Sequence, residues 1–251
     1  MDFWKLMTIV HARQSILNSM RAEKMTHFID MLDLPLNSRV IDIECGKGEF
    51  LHRLYEKYNI SGVGVDKSPY FIEDCKAGKV KRAADANIEY LLMDGKDYEH
   101  SEPFDLACCM GASWIYGGIK GTLEALTEMT RPGGLIVLGE PYWLREPDEE
   151  YLRLEGIKRD DFHSHRENVL MGEKCGITCV YTLVSDHMDW DEYETPHWWA
   201  VSEYADTHPN DPDLPEILEY MRINREKYLK YGRDTMGWCL YVYRKSVHST
   251  L

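Results

Sequence analysis

The chain has 251 residues, 44% of them apolar and 29% charged, and a formal net charge of −14. That composition and length suit a globular chain with a sizeable core, and exclude a disordered or collagen-like one. Excess acid repels phosphate backbones and anionic lipid surfaces, and the densest basic cluster, Lys79-Val80-Lys81-Arg82, is short.

No apolar run reaches the ~20 residues that span a bilayer. The start, Met1 to Leu6, has an early acid and does not read as a signal peptide. The seven cysteines sit mostly in apolar segments, as suits reduced thiols. We therefore expect a cytoplasmic protein.

Residues 3–33 read as helical, with apolar positions Ile16, Met20, Met25, Phe28 and Met31 at mixed spacing. Val40 to Ile43 is a first strand. A turn with two glycines follows, then a helix from about Glu49 with Phe50, Leu51, Leu54, Tyr55 and Tyr58 on one face. Gly62 to Val65 is a second strand, ended by Asp66. Ser68 is placed to cap the next helix, with Pro69 in its first turn. Ile88–Met93 and Asp105–Met110 are the third and fourth strands. Ile119–Met129 is a helix, Arg131 to Gly134 a turn, and Leu135–Leu138 the fifth strand. Near-uniform apolarity predicts strands covered on both faces, hence a mostly parallel, doubly wound α/β sheet.

The remaining hundred residues read as a helix (Val169–Cys175), a strand (Thr178–Val184), an aromatic acidic segment (Trp190–Tyr204), a Pro-bearing link, a helix near Glu216–Tyr231 and a last strand (Trp238–Tyr243). We expect one domain: helical cover 1–36, cofactor-binding core 37–185, helical insert 186–236, and last strand 237–245.

The most informative stretch is Asp42-Ile43-Glu44-Cys45-Gly46-Lys47-Gly48. A strand feeds a glycine turn whose backbone N–H groups open a helix, an arrangement that receives nucleotides. The dinucleotide fingerprint wants a third small residue for close helix packing. Leu51 stands there, which disfavours NAD and FAD, and no Gly-Lys-Ser/Thr follows for a P-loop. Asp66, 20 residues after Gly46, sits where an acid accepts ribose hydroxyls. The remaining ligand class carries an adenosine without a diphosphate.

On these residues the chain resembles a class I S-adenosylmethionine-dependent methyltransferase from about Asn18 to Trp143. Val40–Phe50, Gly64-Val65-Asp66, Met93-Asp94-Gly95, Phe104–Met110 and Arg131–Leu135 resemble the family's ordered motifs, with Glu44 standing where Gly is usual. Gly111 to Gly118 and Gly139 to Trp143 resemble a branch of bacterial small-molecule methyltransferases. The resemblance implies a Rossmann-like, seven-stranded sheet with an antiparallel last strand, S-adenosylmethionine as cofactor and S-adenosylhomocysteine as product. It places Asp42, Glu44, Cys45, Gly46, Gly48, Asp66, Lys67, Asp94, Gly95, Met110 and Gly111 at the cofactor. The N-terminal helix, with His11 and the turn at Asn18, would cover it.

Methyl transfer is an in-line displacement that position and electrostatics accelerate; a base is needed only for a protonated acceptor. Glu140, expected just after the fifth strand, is the candidate base. Trp114, Tyr116, Tyr142, Trp143, His197 and Trp198 are candidate acceptor walls; aromatic faces there would attract a sulfonium. The expected partner is a small-molecule acceptor, with no nucleic acid and no membrane, in a monomer or homodimer. No metal is expected: His163-Ser164-His165 lacks a second ligand pair, and Cys175 and Cys179 are separated by Gly176. Three alternatives stay open: a non-catalytic sensor of the same ligands, a nicotinamide oxidoreductase, and arsenic or thiol methylation through Cys45, Cys108 and Cys109.

Overall fold

A computed structural model describes residues 1–247. The strands are β1 (Arg39–Ile43), β2 (Ser61–Asp66), β3 (Ile88–Leu92), β4 (Phe104–Met110), β5 (Thr130–Trp143), β6 (Ile177–Val184) and β7 (Met236–Lys245). They form one sheet ordered β3-β2-β1-β4-β5-β7-β6. β1 to β5 are parallel to one another, and β7 runs antiparallel between β5 and β6. This is the doubly wound sheet expected, with its reversed last strand. Strand order switches direction between β1 and β4, which opens a crevice at their carboxyl ends.

Alternation along each strand sends successive residues to opposite faces. Val40, Leu106, Cys108 and Val137 meet Phe28, Leu51 and Leu54 of α2 (Ala22–Leu32) and α3 (Glu49–Tyr58). Ile41, Ile43, Ala107, Ile136 and Leu138 meet Leu123 and Leu126 of α5 (Ile119–Met129) and Met171 of α7 (His165–Lys174). Both faces are apolar, which is why the strand segments read as continuous apolar runs. Between β2 and β3 lies α4 (Pro69–Arg82), whose cap is Ser68, its side chain accepting from the Phe71 N–H. A short helix α6 (Glu149–Glu155) follows β5.

The helical reading of 3–33 is corrected. Two helices, α1 (Phe3–Val10) and α2, are separated by an irregular segment. Ser15, Asn18 and Ser19 are residues whose side chains compete for backbone groups and break helices, and Leu17 turns down onto the glycine turn. The strand expected over Leu135–Leu138 is also longer. β7 pairs with it from Leu135↔Arg244 to Trp143↔Met236, so Glu140, Tyr142 and Trp143 lie inside β5.

Between β6 and β7 stand α8 (His187–Thr207) and α9 (Leu214–Lys227). Val201, Ile217 and Met221 from them bury Leu6, Ile9 and Val10 of α1. Fully buried Asp189 pairs with Arg21 and Lys24, tying the start of α2 to α8. The insert thus holds α1 over the sheet. Among the described residues no helix is long and apolar enough to cross a membrane.

Candidate active site

A cavity of about 310 Å³ lies at the carboxyl ends of β1, β2 and β4. Its floor is Asp42, Glu44, Cys45, Gly46 and Lys47, with Asp66 and Lys67 on one side and Met110, Gly111 and Ala112 on the other. Trp4, Met7 and His11 of α1 and its cap, with Leu17 and Asn18 beyond, form the roof. Volume and mixed lining fit a cofactor-sized ligand.

The floor is shaped by backbone in the left-handed region. Glu44, Gly46 and Gly48 have φ of 57°, 54° and 72°. A Cβ on Gly46 would stand 2.9 Å from Leu17 Cδ1, so glycine there meets both the dihedral and the close approach of the roof. Asp66 holds the turn in place: Oδ2 accepts from the Gly46 N–H and Oδ1 from the Ser68 N–H, each at 2.8 Å. Each oxygen keeps a further lone pair for a ligand hydroxyl.

Four carboxyls line the cavity: Glu49, which is paired with Arg53 and Arg82, and Asp42, Glu44 and Asp66. Burial pushes Asp66 up to about 6, against the pull of its backbone donors. Burial also pushes Asp42 up to about 7, although the Cys108 thiol donates to Oδ1 at 3.2 Å; Asp42 Oδ2 is buried with no partner. Glu44 is pushed to about 7 by burial and then by Asp66, while Oε1 accepts from the Gly95 N–H at 3.3 Å. The two lysines at hand are engaged elsewhere. Lys67 pairs with Asp94 at 2.9 Å, and Lys47 donates to the His11 carbonyl at 2.9 Å. The cavity is therefore short of positive charge. A diphosphate would meet three acids there, whereas a cation would relieve them.

Asp42, Glu44, Cys45, Gly46, Asp66, Lys67, Met110, Gly111 and Trp114 all line this cavity. Trp114 is 71% exposed at its mouth. Gly48, Asp94 and Gly95 do not line it and act one step back: Gly48 caps α3, Asp94 holds Lys67, and Gly95 donates to Glu44. Sequence reasoning missed Phe3, Trp4, Met7, Phe50 and Phe71, for which the chain carries no local signal.

Five acceptor-wall positions and the candidate base do not line this cavity. Glu140 is 3% exposed within β5 and does not line the cavity. Its Oε1 accepts from Ser113 Oγ at 2.9 Å, Oε2 has no partner, and burial pushes it to about 7. Because β5 continues past Gly139, strand alternation aims Glu140 and Tyr142 at the opposite sheet face from Asp42. Tyr142 packs on Gly237 and the His165 ring. Trp143 donates from Nε1 to the Arg159 carbonyl at 2.8 Å and packs on Tyr151 and Phe162. Tyr116 donates to the Gly95 carbonyl at 2.9 Å, outside the cavity. Trp198 packs on Tyr228. His197 sits behind His11, its Nε2 3.1 Å from His11 Nδ1. Cys45 alone of the three clustered thiols lines the cavity. Cys108 and Cys109 are fully buried on opposite faces of β4, so the three do not converge.

Residues 40–134 match the family model described as a methyltransferase domain. Over 240 residues the chain is 29% identical to YjhP of Escherichia coli (strain K12), covering 95% of this chain and 97% of that protein. A solved S-adenosylmethionine-dependent methyltransferase from Geobacter sulfurreducens, in complex with S-adenosylhomocysteine, superposes with a TM-score of 0.90 at 29% identity, covering 95% of this chain and 97% of that one. A tRNA U34 carboxymethyltransferase of Tolumonas auensis is 25% identical over 186 residues, which span 71% of this chain and only 56% of that enzyme.

Proposed function

We infer that this chain, a class I S-adenosylmethionine-dependent methyltransferase by its fold and its matched domain, binds S-adenosylmethionine in the cavity above β1, β2 and β4 and passes its methyl group to a small molecule. The observation that carries the reading is a set of carboxyls, buried Asp42 and Asp66 with half-buried Glu44, around a glycine turn whose lysines, Lys47 and Lys67, are held by the His11 carbonyl and Asp94. Bound there, the cofactor would supply a positively charged sulfur and an activated methyl group. Asp66 is placed to accept ribose hydroxyls while it keeps the turn closed. Asp42 Oδ2, buried and without a partner, fits a donor or a positive charge on the ligand. Trp4, Met7 and Trp114 give the mouth an apolar surface for the acceptor and exclude water from it.

A small acceptor is favoured over RNA by charge. The net charge is −14. Two members of the densest basic cluster are spent internally: Arg82 is shared by Glu49 and Glu56, and Lys79 donates to the Ile88 carbonyl. Among the described residues no longer run of basic side chains stands ready to track phosphates.

Titration calorimetry with S-adenosylmethionine, S-adenosylhomocysteine and NADH tests the cofactor. The first two should bind and the third should not. Incubation with methyl-labelled cofactor and a metabolite extract should then place label in a small molecule. NADH binding would favour an oxidoreductase. Binding of both sulfur ligands with no label transferred would favour a sensor.

A further inference from the structure

We propose that Nε2 of His11 receives the proton of a hydroxyl-bearing acceptor, and that Gln14, His197 and Glu194 hold the imidazole in the tautomer this requires. The proposal rests on the methyl-transfer reading above. His11 caps the end of α1, lines the cavity and is 8% exposed.

The tautomer follows from the partners. Gln14 Nε2 donates to the Tyr193 carbonyl at 2.8 Å. A carbonyl only accepts, so the amide has one orientation, and that orientation puts Oε1 3.0 Å from His11 Nδ1. An amide oxygen also only accepts, so the proton of His11 is on Nδ1. His197 Nε2 lies 3.1 Å from that same Nδ1. With one hydrogen between them, His197 Nε2 is an acceptor, and the proton of His197 is on its Nδ1, which faces Glu194 Oε2 at 3.7 Å. The series Glu194, His197, His11 therefore ends in a lone pair. His11 Nε2 makes no hydrogen bond to the described residues and is not a buried atom. Burial, with His197 and Lys47 adding, holds His11 near 4 against the pull of Gln14, so the ring is neutral at physiological pH.

A weak neutral base selects the acceptor chemistry. A thiol reaches its nucleophilic form by ionising in water, and an amine needs no base once it is unprotonated. A hydroxyl differs: as its oxygen bonds to the methyl carbon, the O–H becomes strongly acidic, and even a weak base takes its proton. The atoms balance. The sulfur–methyl bond breaks with its electron pair on sulfur, the oxygen lone pair forms the new C–O bond, and the O–H proton moves to Nε2. Positive charge thus passes from sulfonium to imidazolium, which releases its proton to solvent. Phe71, whose ring centroid is 6.4 Å from that of His11, together with Trp4, Met7 and Trp114, makes the surroundings aromatic and apolar. The class that fits is a phenol or a similarly apolar alcohol.

The test has three parts. Nitrogen NMR of histidine-labelled protein at neutral pH, with His11→Ala to assign the signal, should show Nδ1 protonated and Nε2 bare. A proton on Nε2 overturns the proposal, because His11 would then be a donor. Calorimetry with S-adenosylhomocysteine separates the two readings. If the wild type does not bind it, both fall. If it binds, turnover with phenol, aniline and thiophenol as probes decides the second alone. Phenol should be methylated, and His11→Ala should lower its turnover roughly 10²–10⁴-fold, far more than it weakens S-adenosylhomocysteine in the same calorimetry. Gln14→Leu, which keeps the imidazole but frees its tautomer, should lower kcat and leave KM for the cofactor unchanged. Cofactor binding with no phenol methylation, or a His11→Ala protein as fast as the wild type, overturns the proposal.

Discussion

Raising the pH from about 6 to about 8 should tighten S-adenosylmethionine binding close to tenfold, with release of about one proton per site. Asp42 and Glu44 are held near 7 and Asp66 near 6, in each case first by burial. With Lys67 drawn to Asp94 and burial dominant, Asp42 and Glu44 are mostly protonated at pH 6. An opposite charge within ~4–6 Å lowers a carboxyl pKa by ~1–3 units, so a bound sulfonium drives a proton off. For one group titrating near 7, the ionised fraction rises from about a tenth at pH 6 to about nine tenths at pH 8, which is about 1.3 kcal/mol of binding. S-adenosylhomocysteine lacks the charge on sulfur and should show a shallower slope. The free protein should move the other way. These acids have folded pKa values above their unfolded ones, so their contribution to stability is fully present below about pH 4 and is lost as pH rises through about 6–7. Each unit of upward shift corresponds to about 1.4 kcal/mol. Calorimetry at several pH values, in buffers of differing ionisation enthalpy, counts the protons. Affinity that is flat with pH, or proton uptake on binding, would refute the reasoning.

Other perturbations act on single residues. Asp66→Ala should weaken S-adenosylhomocysteine at least about 100-fold, since two charge-assisted hydrogen bonds at ~1.5–3 kcal/mol each are lost; unchanged affinity by calorimetry would remove Asp66 from the site. Glu44→Gly should raise Tm by about 2–4 °C at neutral pH, because a left-handed φ costs a residue with a Cβ about 1–2 kcal/mol, partly offset by glycine entropy. It should also flatten the pH dependence of binding, and a lower Tm in scanning calorimetry would count against it. Glu140→Gln keeps the acceptor for Ser113 and removes a buried carboxylate held near 7. Methyl transfer should stay within about twofold and Tm should rise at pH 8 but not at pH 5; a hundredfold loss of turnover would restore Glu140 as the base.

Most strands were legible because each is a short apolar run whose two faces both meet helices. The end of β5 was not. Gly139-Glu140-Pro141-Tyr142-Trp143 has the composition of a loop, with a glycine and a proline that donates no hydrogen bond. It is strand because β7, almost a hundred residues later, lies antiparallel against it and pairs Pro141 with Trp238. That long-range pairing also decides which face each side chain takes. Once the strand continues, its period of two carries Glu140 and Tyr142 to the face away from Asp42, and Glu140 does not line the cavity.

The candidate site divides along the same line. Asp42, Glu44, Gly46 and Asp66 belong to one strand–turn–helix–strand unit, and their relation is fixed by a few backbone hydrogen bonds, so spacing in the chain predicts spacing in the fold. His11 owes its position to α1, its tautomer to Gln14 and His197, and the placement of His197 to α8, which Asp189 ties to Arg21 and Lys24. Helical spacing joins residues 194 and 197 on α8, but no periodicity connects them with residue 11. A cofactor cradle of this kind is local and can be read from one stretch of chain, whereas the acceptor end proposed above would be assembled from the cover and the insert. Substrate choice in such a fold can therefore change by substitution in α1 or α8 without touching the glycine turn.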